Sequence, residues 1–300
     1  MFRKNRIAGY ISFIILLHSL SLLAQDGVAL LKNEHGARSA GMGETVFSID
    51  PDPNATSHNP AMAAGFEKFM VSFGHTEFWE NVSLESGYFA ANLNPHWAVH
   101  GGIRYASVGN LQGREFPTSA PETEFDAQDI SFKGGFAYSL TSKVEIGVAA
   151  GWIIEKIGAY RGSSFNVDLG TVFQIDSQAN IAAAVTNLGS DFQLEQPGVT
   201  ASDEVPLPTT YRIGGSYKYQ RFLGAAELVY LDDEAHAHLG AEAKVTEIFS
   251  LRTGYMINYD SKNFTAGASF AHRNISVEYA FVPFSQNLGT SHLFNLTFGL

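Results

Sequence analysis

The chain has 300 residues, a formal net charge of −11 and no cysteine. That composition excludes a disulfide framework, zinc–thiolate sites, a cysteine nucleophile and a lipid anchor on a mature N-terminal cysteine; the acidic balance argues against a non-specific nucleic-acid binder. Charged residues are only 16%, against about 25% in ordinary soluble domains, while aromatics reach 13%, glycine numbers 29 and mean hydropathy is −0.03, the balance that strands with alternating apolar and polar faces produce.

At the N-terminus Arg3, Lys4 and Arg6 precede an apolar run from Ile7 to Leu23, which ends Leu22-Leu23-Ala24-Gln25. This is the form of a cleaved signal peptide over residues 1–24. A membrane-spanning helix needs about 20 apolar residues, and His18, Ser19 and Ser21 interrupt this run. The mature chain is therefore predicted to leave the cytoplasm without helical spans.

The segment 25–65 precedes the barrel, and residues 36–65 of it do not alternate. Gly41 and Gly43 permit close backbone approach or positive φ. Asn59 before Pro60 reads as a helix cap with proline in the first turn, continuing through Ala61. The Gly-x-Gly here is not a phosphate loop, because no strand precedes it and the third glycine is missing. The segment is predicted to be a compact hatch inside a barrel formed by residues 66–300.

From Phe66 onward the pattern has period two. Tyr211, Ile213, Gly215, Tyr217 and Tyr219 fall on one face, with Arg212, Gly214, Ser216 and Lys218 on the other. The same reading gives fourteen segments: 67–76, 80–92, 96–107, 128–140, 143–156, 163–174, 178–187, 208–220, 221–231, 235–246, 248–259, 263–272, 274–284 and 290–300. Each approximates the 9–11 residues of a tilted membrane strand, and the count is even, as in single-chain bacterial barrels. The fold class is all-β: a 14-stranded antiparallel transmembrane β-barrel with an N-terminal hatch. The two longest links, 108–127 and 188–207, follow odd strands, whereas links after even strands are tight, as at Gln220-Arg221 and Arg273-Asn274. Long outer loops and short periplasmic turns have this parity.

A Lys or Arg on the lipid face at mid-membrane costs about 2–4 kcal/mol, so charged residues at strand centres are assigned to the lumen. These are Glu85, Glu145, Asp168, Glu227, Glu242 and Glu278, with Arg104, Lys133, Arg212, Lys218, Lys244 and Arg252. Six of each sign predicts a lumen cross-linked by ion pairs and argues against a general porin. Trp97, Tyr138, Trp152, Phe222, Tyr230, Phe249 and Tyr259 are assigned to interfacial girdles that meet the outer-membrane lipid. Phe294, Leu296, Phe298 and Leu300 alternate to the chain end, which resembles the signal read by the barrel-assembly machinery.

"Ala-Arg-Ser-Ala-Gly-Met-Gly", carrying Arg38, Gly41 and Gly43, followed by Asn59-Pro60-Ala61 and a meander ending "Gly-Thr-Ser-His-Leu-Phe-Asn-Leu-Thr-Phe", resembles the PorV/PorQ family of outer-membrane proteins. These are similar to the FadL fatty-acid transporter fold, with fourteen strands and a hatch bearing an Asn-Pro-Ala motif. The resemblance spans essentially the mature chain and departs at Glu44, where another small residue is expected. It implies a bacterial outer-membrane protein that binds a cargo or surface partner of the type IX secretion system. The alternative it implies is FadL-like transport of hydrophobic small molecules, through an apolar pocket between hatch and wall and a lateral gap. Gly134-Gly135 and Gly214-Gly215 are read either as ordinary barrel-bending glycines or as kinks at such a gap.

No enzyme motif is present: no His-Glu-x-x-His, Walker loop or Gly-x-Ser-x-Gly elbow. Ser269 and His272 have no diagnostic spacing. His236 and His238, and likewise His96 and His100, share faces but lack a third ligand at diagnostic spacing. No cofactor, metal or catalytic residue is assigned.

Overall fold

The computed structural model describes residues 28–78, 82–113, 121–199 and 202–300; the assigned signal peptide lies outside the described residues. Its strands are β1 (Met70–Glu77), β2 (Val82–Asn92), β3 (Trp97–Gly113), β4 (Thr123–Ser139) and β5 (Val144–Ile157). They continue as β6 (Tyr160–Gln174), β7 (Ala179–Gly189), β8 (Thr210–Tyr219), β9 (Phe222–Leu231) and β10 (Glu234–Lys244). The last four are β11 (Phe249–Ile257), β12 (Phe264–His272), β13 (Ile275–Pro283) and β14 (Thr290–Gly299). Each pairs antiparallel with the next, and β14 closes onto β1 with Phe73 opposite Leu296. Closure gives every strand two partners, the condition for a sheet to stand in hydrocarbon.

Alternation decides which face meets lipid. In β9, Leu223, Ala225, Glu227 and Val229 are buried while Phe222, Ala226, Leu228 and Tyr230 are exposed. In β14, Phe294, Leu296 and Phe298 point outward and Asn295 and Thr297 inward. Leu300 follows the strand end and donates its N–H to the Phe69 carbonyl at 2.8 Å. Gly134-Gly135 and Gly214-Gly215 pair in register with both neighbouring strands. The irregularities lie at Val108/Leu111 and Val167/Leu169 instead.

The strands differ from the sequence reading mainly in length. β3 and β4 have 17 residues each, β5 has 14 and β6 has 15. Much of the segment read as a loop, 108–127, is therefore strand: Leu111–Gly113 pair with Thr123–Phe125 beyond a bulge that places Asn110 at φ 59°. A strand that extends past the bilayer no longer needs an apolar outward face, so its alternation fades. Links at one end of the barrel are all short. The other end carries the long links, 190–209 and 114–122, together with two-residue turns at 158–159 and 232–233. By the usual asymmetry of outer-membrane barrels this is the outer end.

Two assignments are corrected by the strand faces. Glu85 is not in the lumen: Leu84, Ser86 and Tyr88 point inward, and Glu85 points outward, bonded to His75 at 2.6 Å. It lies near the outer end of β2, where a charge reaches water. Tyr259 is not a girdle residue; its ring stacks on the inward-facing His236 at 4.0 Å and its hydroxyl bonds His238 at 2.8 Å.

Residues 28–69 enter the barrel as the hatch. They form α1 (Ala29–Lys32), α2 (Ala37–Gly41) and 3-10 turns at Pro53–Ser57 and Pro60–Gly65. Lys32 bonds Asp232 in the β9–β10 turn at 2.6 Å, which places α1 at the outer mouth. α2 packs on β11–β14, and the second 3-10 turn packs on β2–β6.

Ile213, at the centre of β8, is 59% exposed on the lipid face. Ile213→Lys should destabilise the barrel by about 2–4 kcal/mol in denaturant titrations in lipid vesicles, and Tyr219→Lys, near the turn end, by at most about 1 kcal/mol.

Candidate functional site

A plug made of short turns leaves backbone groups without partners, and a buried orphan donor costs about 1–3 kcal/mol. Inward side chains of the wall satisfy them here. Asn295 accepts from the Ala37 N–H at 2.5 Å, Thr265 from Gly43 at 2.9 Å and Ser216 from Ile49 at 2.9 Å. One oxygen of Glu227 accepts both the Val46 and Phe47 N–H groups at 2.6 Å. Hatch carbonyls are met by cations: Arg212 donates to Glu44 at 2.9 Å, Arg104 to Leu30 at 3.1 Å and Lys133 to Ser57 at 3.4 Å.

The charges also pair. Arg38 of α2 lies 3.3 Å from Glu242, which accepts from Arg252 at 2.6 Å. Arg252 reaches Glu278 at 3.2 Å and Ser269 at 3.2 Å, so one chain of charges runs from the hatch across four strands. The other oxygen of Glu227 binds Arg212 at 2.8 Å, and Lys133 pairs with Asp168. Arg38 also donates to the Asp50 carbonyl at 3.1 Å, and Lys218 meets the Asp50 carboxylate at 2.5 Å. Burial tends to raise the Asp50 carboxyl, but Arg38 and Lys218 outweigh it and hold it below its ordinary value. Lys244 stands exposed at the turn end of β10, outside these groups.

Two seats fix the hatch backbone. Gly240 and Gly254 face each other across β10 and β11. A Cβ on Gly254 would overlap the Gly43 nitrogen, and one on Gly240 would crowd Met42 and Thr45. Gly43 has φ 66° and Glu44 φ 59°. The expectation of a small residue at 44 thus has a backbone cause, met here by a Glu whose carboxylate pairs with Lys262. Gly41 packs against Gly267. The second seat is the Gly147–Gly170 pair of β5 and β6, where a Cβ would overlap Ala61 or Asn59. Asn59 caps the 3-10 turn by accepting from the Ala61 N–H at 2.9 Å, with Pro60 in the first turn, and donates to the Thr171 carbonyl at 3.1 Å.

At the outer mouth Val28, Leu30 and Leu31 cluster with Leu84 and Ile153 of the wall and with Phe192 and Leu207 of the β7–β8 link. Beneath lies a polar cavity of about 200 Å³ lined by His58, Arg104, Lys133, Arg212, Tyr259 and Lys262. An apolar groove of about 1270 Å³ lies on the lipid face of β7–β11, with Gly215, Gly224, Ala226 and Ala241 in its lining and Ile213, Tyr217 and Phe222 beside them. Gly240 borders this groove and also seats the hatch.

The structure thus brings Arg38, Glu242, Arg252 and Glu278 together, and Lys133 with Asp168, while Arg104 and Arg212 turn to the hatch backbone. Asp50, which ties Arg38 to Lys218, and the seat glycines were not singled out in the sequence. Glycines at inward positions of adjacent strands were a usable signal for the seats. His236 Nδ1 is bonded to the Asn258 carbonyl, and both His238 nitrogens have partners, Glu44 and Tyr259. Ser269 is buried on the lumen side and His272 is exposed at the turn end.

No family model and no curated protein matches the chain. Among solved structures it resembles the Pseudomonas putida toluene transporter TodX, at TM-score 0.63 and 14% identity over 88% of this chain and 97% of that one. The Ralstonia pickettii toluene transporter TbuX gives 0.59 and 16%, covering 87% and 96%. A Pseudomonas aeruginosa FadL homologue gives 0.59 and 11%, covering 91% and 99%. At these identities the likeness is one of fold: a FadL-like outer-membrane barrel.

Removing the Glu227 carboxylate orphans two hatch donors. In Glu227→Ala, amide exchange at Val46 and Phe47 should accelerate about thirtyfold, equivalent to about 2 kcal/mol, with heat-modifiable gel migration retained. The depressed Asp50 carboxyl stabilises the hatch at neutral pH, and this contribution disappears as pH falls through its folded value. Asp50→Asn should therefore expose hatch amides more than the native chain at pH 7, with the difference undiminished down to about pH 3.9 and vanishing only below the lower folded value.

Proposed function

We propose that this chain is an outer-membrane transporter of hydrophobic small molecules, gated by its hatch. The observation that carries the reading is the seated hatch, which closes the lumen through separate side-chain contacts that can release together. A permanently sealed structural barrel has no need of a plug bound through one-residue seats. The fold shared with proteins described as toluene transporters supports the same direction. The apolar cluster at the outer mouth offers a first contact for an apolar solute. At Gly240 a single backbone layer separates the hatch from the apolar groove on the membrane side. Movement of Met42–Thr45 off that seat would open the thinnest part of the wall towards lipid. Arg38, Gly41, Gly43, Asn59, Pro60 and Ala61 act in this reading as the elements that seat and release the hatch. Phe294, Phe298 and Leu300 direct assembly.

A second reading, partner binding of the PorV/PorQ and type IX kind, is favoured by one feature. β3–β6 exceed the 9–11 residues of a membrane span. The β7–β8 link pairs onto their edge through Arg161 and Glu195. The resulting raised rim on one side of the mouth is a surface a secreted protein could grip.

The absence of cysteine makes a clean test. Ala37→Cys with Asn295→Cys places a disulfide where the hatch N–H meets the wall side chain. In cells with an intact outer membrane, uptake of a fluorescent hydrophobic probe should be faster with the reduced protein than with empty vector. It should fall to the vector level on oxidation and return with dithiothreitol, while a sugar of similar size enters in neither state. Uptake equal to vector in both states would sink the transport reading. A secreted protein co-purifying at one to one would then favour the second.

A further inference from the structure

We infer that the hatch carries a binding site for one zinc-class divalent cation, formed by Glu34, His35 and His58. The three side chains meet inside the lumen, with exposures of 6%, 0% and 18%. Glu34 Oε2 lies 3.3 Å from His58 Nε2, Glu34 Oε1 lies 3.9 Å from His35 Nδ1, and all ligand atoms are within 4.8 Å of one another. Ligands at about 2.0–2.2 Å from a tetrahedral ion are about 3.3 Å apart, so one edge of the triangle already fits, and the others close when the His35 and His58 rings, nearly parallel at 18°, turn towards the ion.

The polar groups around the triangle leave these atoms facing one another. His35 Nδ1 has no hydrogen-bond partner, and His58 Nε2 has none beyond the Glu34 carboxylate at 3.3 Å. The other nitrogen of His35 is 3.3 Å from the Ser57 hydroxyl, which leaves the Nδ1 lone pair towards Glu34 when Nε2 carries the proton. The His35 ring is held between Tyr88 at 4.7 Å and His58 at 5.5 Å. Glu34 Oε1 accepts the N–H groups of His35 and Gly36 at 2.9 and 2.8 Å, which fixes the carboxylate and leaves Oε2 free of backbone. Two imidazoles and a carboxylate are the donor set of zinc and its neighbours, not of calcium or magnesium.

Arg104 and Lys133 limit the affinity, although Leu30 O and Asp168 partner them. His58 also lines the 200 Å³ cavity beneath the mouth, which has room for a water at the ion's fourth position. The ion would clip the segment ahead of α2 to the turn ahead of Asn59, tying the two ends of the hatch.

The test uses the purified full chain in detergent, stripped with a chelator and titrated with Zn²⁺ against a chromophoric competitor. One equivalent should bind. His58→Gln and Glu34→Gln should each weaken binding at least about a hundredfold, with heat-modifiable migration retained, while His236→Gln should bind as the native chain does. Zn²⁺ should also slow amide exchange at 34–36 and 57–59 in the native chain, a readout that stands if either variant fails to fold. No saturable binding below about 1 mM, binding undiminished in both variants, or unchanged exchange at those residues would overturn the inference.

Discussion

The structure depends on one constraint: backbone polar groups of the hatch must find partners in a lumen where no strand edge is free. The wall answers with inward side chains. Glu227 caps two amides, Asn295, Thr265 and Ser216 take one each, and Arg212 and Arg104 return bonds to hatch carbonyls. The chemistry of the lumen is thus set by the plug it must hold. Its balanced signs follow, since each cation or anion that serves the hatch needs a counter-charge once water is excluded.

The same arrangement makes hatch and wall unequal in strength. The wall is fourteen antiparallel ladders, twelve of them without a register shift. The hatch is held by single side-chain bonds, glycine seats and small apolar clusters such as Val46, Phe47, Ala61 and Met62 against Val172 and Ala182. Local stability in proteins follows contact density, so the plug is the part that opens before the barrel does.

The barrel was legible because alternation is a physical requirement wherever a strand separates lipid from water. It was least legible where that requirement lapses, at 108–127, and at the rim, where Glu85 turns outward at no great cost. Assigning charge to the lumen works at mid-membrane, as for Lys133, Asp168 and Arg252, and loses force near the ends. The hatch motif drew attention to Arg38, Gly43 and Asn59, but their partners lie some 110 to 230 residues away in β6, β10 and β12. Such pairings depend on barrel register, which a single sequence encodes only diffusely. Glu34, His35 and His58 were hidden for a related reason: a turn, not a periodic spacing, brings them together.

The two glycine seats impose an order on assembly. One is built by β5 and β6, the other by β10 and β11, and the Asn295 acceptor comes from the last strand. The hatch lies near the start of the chain, yet its docking surface is complete only after the final hairpin has joined the wall. Until then its amides stay hydrated and its sequence uncommitted. Plug docking is therefore a high-contact-order step of folding, complete only once the barrel has closed.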